Sequence, residues 1–576
     1  MRTDKYRLRR WVGGFHCIKG QQQQPSNSDM TKSTHYDHDS FHTRKDDATV
    51  EHDEALDITK PPEHGAVGTV SYGPSGIRNL LDSKYVFGVA LLASLGGFSM
   101  GYDMGVISII NVMEEFHSAF PQTATEFGKG FMTGMMLLGA FVGCLFMSWL
   151  ADRISRKWAL TVVVVIFDIG AILQTAAQSY DMLIAGRFIG GIGVGTLAMG
   201  APLYISEISP PNFRGTLLVL ESVSITLGVV VAFWITFGTR HMAGEATFRL
   251  PFGLQMVTAT ALGIGIHFFP YSPRWLALVN RSEDCLASLS KLRRLPATDP
   301  AVQAEFTGIV TEIASQKLAF QRRHPGATGL KLEMLSWVDL FRRKTWRRTA
   351  VGAGVAFFQQ FSGINAFIYY APTLFESLGQ SSEMSLILSG VFNILQFVAS
   401  LICFVVIEKV GRRALAIAGG FGMAVAYIII AVLSGLYASS WEDYMAAGWA
   451  CVAMAFLFIL TYGVSYSPLG WALPSEVFSN TNRSKGVTLS ACVIWLSNFI
   501  VGVVTPSMLA NTGFRTYIFF AVMCTLAGVW AVFLVPETSN KTLEEIDGLF
   551  GDLSAQEDSV DVHMAVACAS SRDAGV

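Results

Sequence analysis

Two charged residues stand inside otherwise apolar sequence, Asp103 within 85–110 and Arg187 within 182–205. An unpaired charge at the centre of a membrane helix costs at least about 2.5–3.5 kcal/mol, so each needs a partner, and each is the obvious partner for the other. A carboxylate that loses and regains an arginine during a working cycle changes its proton affinity each time, and so can carry a proton. The alternative is a static structural bridge. Glu221 is a second acid in an apolar stretch. It suits a proton or substrate ligand, or a side chain reaching from one end of the stretch toward water. Amides form the next group. Gln359, Gln360 and Asn365 share one apolar stretch, and Asn393, Trp471 and Asn498 lie in three later ones. On a regular helix Gln360 and Asn365 are about 140° apart and Gln359 and Gln360 about 100°, so a straight helix cannot aim all three at one point. Gly363 stands between them as a possible break. Amides so placed either join helices or hold a polar ligand at the midplane.

Positioning these groups requires helices that cross a bilayer, and the composition fits that. Of 576 residues, 51% are hydrophobic and 15% charged, against roughly 25% charged in soluble domains; mean hydropathy is +0.42. The apolar segments fill most of the chain, which excludes a soluble enzyme with an appended anchor. A net charge of −2 gives no sign of nucleic-acid binding. The eight cysteines are scattered without a C-x-x-C pair, and five lie in apolar stretches, so neither a disulfide framework nor a metal site is expected. A bilayer core of about 30 Å needs roughly 20 apolar residues per helix. Twelve such spans are expected near 85–110, 130–151, 158–178, 182–205, 216–238, 251–270, 347–375, 385–407, 414–437, 446–472, 487–510 and 515–535. The reading is an all-α integral membrane protein of twelve transmembrane helices in two six-helix bundles, 85–270 and 347–535. Residues 271–346 form a polar loop with short helices expected around 283–295 and 301–319. Residues 1–84 read as a disordered cytosolic tail and 536–576 as a second cytosolic tail. His35, His38, His42, His52 and His64 in the first tail lack firm metal-ligand spacing. No apolar signal-peptide region is evident near the N-terminus.

Loop charges set the orientation. The loops after spans 2, 4, 6, 8 and 10 carry Arg153, Arg156, Lys157, Arg214, a large Lys and Arg excess in 271–346, Lys409, Arg412, Arg413, Arg483 and Lys485. The opposite loops carry only Lys129, Arg240, Arg249 and Arg515. The first set is therefore expected in the cytosol, with both tails.

The halves also repeat. Asp152-Arg153-Ile154-Ser155-Arg156-Lys157 corresponds to Glu408-Lys409-Val410-Gly411-Arg412-Arg413, an offset of 256 (408 − 152). Glu207 with Arg214 corresponds to Glu476 with Arg483, an offset of 269 (476 − 207). Pro270 and Pro536 close the halves 266 apart (536 − 270). Three paired motifs at nearly one offset point to duplication of a six-helix unit, the parallel-repeat plan of secondary transporters. Acid-and-base clusters at matching cytosolic ends suit a gate that forms and breaks.

The ordered motifs carry a family signature over about residues 80–550. They are Gly101-Tyr102-Asp103, Asp152-Arg153, Gly186-Arg187 with the glycines of span 4, Arg214-Gly215, Pro273-Arg274-Trp275, Gln359-Gln360-Phe361-Ser362-Gly363-Ile364-Asn365, Gly411-Arg412-Arg413 and Pro536-Glu537-Thr538. The chain resembles the sugar porters of the major facilitator superfamily. The wording of Tyr369-Tyr370-Ala371-Pro372 and of Gly470-Trp471 through Glu476-Val477-Phe478 is most like fungal hexose transporters. Five positions depart from the family pattern. Ser148 and Ser155 stand where the loop motif has Gly, Tyr271 where it has Glu, Ser222 where many relatives place a sugar-binding Gln, and Gly463 where facilitative animal relatives carry Glu.

The resemblance implies a proton-coupled monosaccharide importer, a hexose carrier working by alternating access, with an uncoupled facilitator or a transporter-like sugar sensor as alternatives. It implies sugar contact by Gln359, Gln360, Asn365, Asn393, Trp471 and Asn498, since a sugar needs its hydroxyls satisfied and a ring face covered. Trp495 is equally read as a packing residue. Asp103 and Arg187 take the proton-coupling role. Asp152, Arg153, Glu207 and Arg214, with Glu408, Arg412, Glu476 and Arg483, become inner-gate salt bridges. Exposed pairs are each worth about 0–1 kcal/mol, so they would act as a network. No cofactor, metal, nucleic acid or covalent chemistry is expected. The partners are a monosaccharide, a proton and the lipid bilayer, and the protein is expected to function as a monomer in the plasma membrane.

Overall fold

The computed structural model describes residues 84–550 except 210–213, 327–328, 344, 480–481, 540 and 542. The expected tail 1–84, apart from its last residue, and residues 551–576 lie outside the described residues. The first half contains Lys84–Ile110, Glu126–Ile154, Arg156–Thr175, Tyr180–Ile208, Arg214–Thr239 and Ala246–Gly265, which are spans 1 to 6. The second half contains span 7 in two pieces, Trp346–Phe361 and Ile364–Ser377, then Ser382–Val410 and Arg412–Tyr437. Span 10 follows, also in two pieces, Met445–Val464 and Tyr466–Val477, and then Arg483–Thr512 and Arg515–Leu534. Eleven helices among the described residues are long and apolar enough to cross a membrane. Span 7 is the twelfth; its pieces of 16 and 14 residues are each too short alone. Hydroxyl caps set several starts: Thr125 accepts from Gly128 N at 3.1 Å, Ser179 from Met182 N at 3.3 Å and Ser381 from Met384 N at 3.4 Å.

Both broken spans have a local cause. Gly363 takes φ +86°, a left-handed conformation that costs glycine little, and separates the two pieces of span 7. Further along, Tyr370 leaves helical geometry (φ −132°, ψ 22°) two residues before Pro372. Span 10 breaks at Ser465 (φ −112°, ψ −83°). Pro468 follows, and its ring and missing N–H cannot accommodate the carbonyl of Val464 in a continuous helix.

The duplication is visible in the backbone. Ser155 has φ 106°, ψ 155°, and Gly411, 256 residues on (411 − 155), has φ 91°, ψ 156°. This region is essentially reserved for glycine, and other residues there store about 1–3 kcal/mol of strain. Ser155 Oγ recovers a little by accepting from Trp158 N at 3.2 Å. Ser155→Gly should therefore stabilise the protein by about 1 kcal/mol, strain relief outweighing a lost cap and a more flexible unfolded chain. Gly411→Ala should destabilise it, because its Cβ would also lie 2.6 Å from Glu537 Oε2. Unfolding temperatures in one detergent compare both variants with the parent.

The linker from 271 to 346 holds Pro273–Leu278, Ser282–Arg293, Pro300–Arg323 and Gly329–Asp339. The two helices expected there are present, and two more join them. Trp275, Leu276, Cys285, Leu289, Val302 and Ile309 form a small core of their own. The last described segment, Leu543–Leu549, buries Ile546, and Arg348 lies 5.0 Å from the ring centroid of Phe550.

Candidate functional site

A cavity of ≈ 90 Å³ lies between the halves. The first half contributes Met100, Met104, Ser222, Ile225, Thr226 and Val229, an apolar wall with two hydroxyls. The second half contributes the amides of Gln359, Gln360, Asn365, Gln396 and Asn498, with the rings of Tyr462, Trp471 and Trp495. The break at Gly363 brings the three span 7 amides to one place. They form a chain: Asn365 Nδ2 donates to Gln360 Oε1, and Gln360 Nε2 donates to Gln359 Oε1 at 3.1 Å. Gln359 Nε2 donates to the carbonyls of Tyr466 and Ser467 at 3.0 and 3.1 Å, the groups exposed where span 10 breaks. Each interruption thus serves the other, and the amides are held in fixed orientations facing space.

Five of the six residues assigned to sugar contact from sequence line this cavity; Asn393 is buried but does not. Gln396, three residues on in span 8, takes that position, and its Oε1 is buried without a hydrogen-bond partner. Ser222 lines the cavity where the family pattern would have an amide, which leaves room on that wall. Neighbouring Glu221 is buried, its Oε1 unpartnered, with its Cγ 3.0 Å from where a Cβ on Gly97 would sit.

Asp103 lies between Met100 and Met104 in sequence, on the side of span 1 that meets span 4. Arg187 Nη1 is 2.9 Å from Asp103 Oδ1, and both residues are 1% exposed. Gln174 Oε1 accepts from the same Nη1 at 3.4 Å, and Met136 Sδ lies 3.6 Å from Nη2. Arg187 Nε has no hydrogen-bond partner. A single carboxylate thus carries most of the burden of keeping this guanidinium charged in an apolar bundle.

At the span ends next to the Lys- and Arg-rich loops the repeated motifs build two matching triads, each within its own half. Arg156 Nη2 is 2.8 Å from Glu207 Oε1, whose other oxygen accepts from Ser272 Oγ. Arg412 Nη2 is 2.9 Å from Glu476 Oε1, whose other oxygen accepts from Thr538 Oγ1 at 2.6 Å. Arg156 was not singled out from sequence; its offset of 256 from Arg412 (412 − 156) was the signal. Arg153 is exposed and lies 5.6 Å from the Trp149 ring centroid. Asp152 Oδ1 is 2.9 Å from Arg156 Nη1. Arg483 opens span 11, while the side chains of Arg214 and Glu408 lie outside the described ones.

The departure at Tyr271 has a structural consequence. Its counterpart Glu537 accepts the backbone N–H groups of Arg412 and Arg413 at 2.9 and 3.1 Å, capping span 9. Burial works to raise the Glu537 pKa, but these donors and the N–H of Ser539 hold it below the usual carboxylate range. Its stabilising contribution is therefore present at neutral pH and lost as pH falls through that lowered value. Tyr271 cannot cap in this way; instead its ring stacks on Trp275 and lies 5.1 Å from Lys157 Nζ.

At the opposite end the halves are joined. Arg240 Nη2 is 2.8 Å from Glu383 Oε2, and Asn111 Nδ2 donates to Tyr369 O at 3.4 Å.

The family model described as "Sugar (and other) transporter" matches residues 89–550. A high-affinity glucose transporter of Kluyveromyces lactis is 31% identical over 485 residues, covering 81% of this chain and 85% of that protein. The sugar transporter STL1 of Saccharomyces cerevisiae is 33% identical over 476 residues, covering 80% of each. Among solved structures, the proton:xylose symporter XylE bound to 6-bromo-6-deoxy-D-glucose superposes with a TM-score of 0.67 at 25% identity, covering 81% of this chain and 99% of that one. Two duplicated six-helix halves around a central amide-lined cavity, with a family match over most of the length, place this chain in the sugar transporter family of the major facilitator superfamily.

Proposed function

We propose that the protein imports a monosaccharide, a hexose, together with a proton, by exposing one central site alternately to the two sides of the membrane. The observation that carries this reading is the buried Asp103–Arg187 pair directly behind a wall of the amide-lined cavity. The amide chain offers donors and acceptors to hydroxyls, and Trp471 offers a face to a sugar ring. Names of relatives support the substrate class, a glucose transporter among them, and a proton:xylose symporter among similar structures supports coupling. The protein acts as a monomer in the plasma membrane. Uptake of a panel of labelled sugars, in cells lacking their own carriers and with external pH recorded, tests this. Hexose uptake accompanied by alkalinisation of the medium is expected. Uptake without alkalinisation would favour the uncoupled facilitator.

The orientation places both tails and residues 271–346 in the cytosol, because the Lys and Arg excess lies there. Tags at residues 20 and 560 should be inaccessible to antibodies in intact cells and accessible after permeabilisation. Labelling of either in intact cells would break this topology.

A further inference from the structure

The linker helix Gly329–Asp339 is held by one face and bare on the other. Lys485, in the first turn of span 11, pairs with Glu333 and lies 5.6 Å from the Trp337 ring centroid. His324 Nε2 is 2.7 Å from Asp339 Oδ2, with both side chains buried. Thr349 Oγ1, in the first turn of span 7, donates to Leu340 O at 2.6 Å. These contacts fix the helix beside the cytosolic ends of spans 7 and 11. Its free side carries Met334, Val338 and, in the turn that follows, Phe341, which are 63%, 55% and 64% exposed. Their spacing of four and three residues puts them on one stripe. The stripe leads to Trp346, the first residue of span 7, which is 47% exposed where an interfacial tryptophan belongs. Lys331, Arg342, Arg343 and Arg347 are exposed around it. Of the acids in the helix, Glu333 is engaged by Lys485, and buried Asp339 is engaged by His324 and by Arg342 Nε at 3.0 Å. Among the described residues this leaves Lys331, Arg343 and Arg347 as the exposed basic residues without an acid of this helix beside them.

An apolar stripe with basic flanks, continuous with the start of a membrane span, has the composition of a helix lying in the headgroup region. We propose that residues 329–347 dock on the cytosolic leaflet, with Met334, Val338 and Phe341 in the acyl–headgroup boundary and the basic residues on anionic phospholipid headgroups. The membrane surface is the occupant because the stripe is continuous with the lipid-facing start of span 7 and its charge complements that leaflet. The inference rests on the orientation argued above and not on the identity of the sugar. By tethering the linker, the contact would tie movements of the gate ends to lipid composition.

The test uses the full chain in nanodiscs of phosphatidylcholine with or without phosphatidylserine, and photoactivatable versions of each lipid, with cross-links mapped by mass spectrometry. The phosphatidylserine probe should label 329–347 several-fold more than the phosphatidylcholine probe. Arg343→Gln should lower that labelling about fivefold, as should Arg347→Gln, and high salt should lower it too. Phe341→Asp should reduce labelling by both probes. Labelled spans beside an unlabelled 329–347 would overturn the proposal. Equal labelling by the two probes, insensitive to the Arg variants, would overturn its anionic-lipid part. Protection of the stripe by residues 1–83, or by a second copy, in place of lipid would also overturn it. The substituted residues are exposed, and unchanged unfolding temperatures would confirm that the variants fold.

Discussion

Replacing Asp103 with Asn should reduce sugar accumulation to simple equilibration. The substitution keeps size and hydrogen bonding but cannot bind and release a proton. One proton crossing 100 mV supplies about 2.3 kcal/mol, enough for roughly fortyfold accumulation of a sugar. All of that should vanish, together with sugar-induced proton influx, while sugar binding and exchange of labelled for unlabelled sugar survive. Arg187 would keep an amide oxygen and the weak contact to Gln174 as acceptors but lose its ionised partner. Breaking a buried ion pair typically costs 3–5 kcal/mol, so protein level and unfolding temperature must be measured alongside. A variant that is present, binds sugar and still accumulates it would show that Asp103 does not couple.

The amide chain should be nearly as sensitive, and its members should fail differently. Gln360→Ala and Asn365→Ala each leave buried polar groups unpaired, at about 1–3 kcal/mol, or one to two powers of ten in apparent affinity. Because Asn365 donates to Gln360, the double variant should lose less than the sum of the two. Gln359→Ala should lower stability as well as affinity, because Gln359 also satisfies the carbonyls at the span 10 break. Kinetics of labelled uptake on membranes with matched protein levels separate these cases. Unchanged kinetics in both single variants would remove span 7 from the site.

Long apolar runs made the twelve spans readable, since a continuous apolar run of about 20 residues satisfies its backbone inside a bilayer as a helix. The same physics made Asp103 and Arg187 conspicuous, and the structure brings them together. Rotation about a helix axis was not readable. Span 8 is apolar on most sides, so nothing in its sequence says that Gln396 and not Asn393 turns to the cavity. The break in span 10 had a signal in Pro468 that the overall hydrophobicity obscured. Arg156 was hidden beside Arg153 in a basic cluster, and only the register against Arg412 distinguishes the residue that meets the acid. The strain at Ser155 shows in sequence as a serine in a glycine position, but its size depends on a φ that no pattern reveals. The helix Gly329–Asp339 went unforeseen because eleven residues give too short a pattern to stand out in a polar loop.

Coupling itself is tested most directly in proteoliposomes holding the purified chain, loaded with labelled sugar at equal concentration on both sides. Acidifying the side that corresponds to the cell exterior supplies a proton gradient and no sugar gradient. Proton-coupled import predicts that sugar rises above its outside concentration in the lumen, and that a protonophore returns it to equality. Sugar that exchanges across the membrane but stays equal on both sides throughout would contradict it.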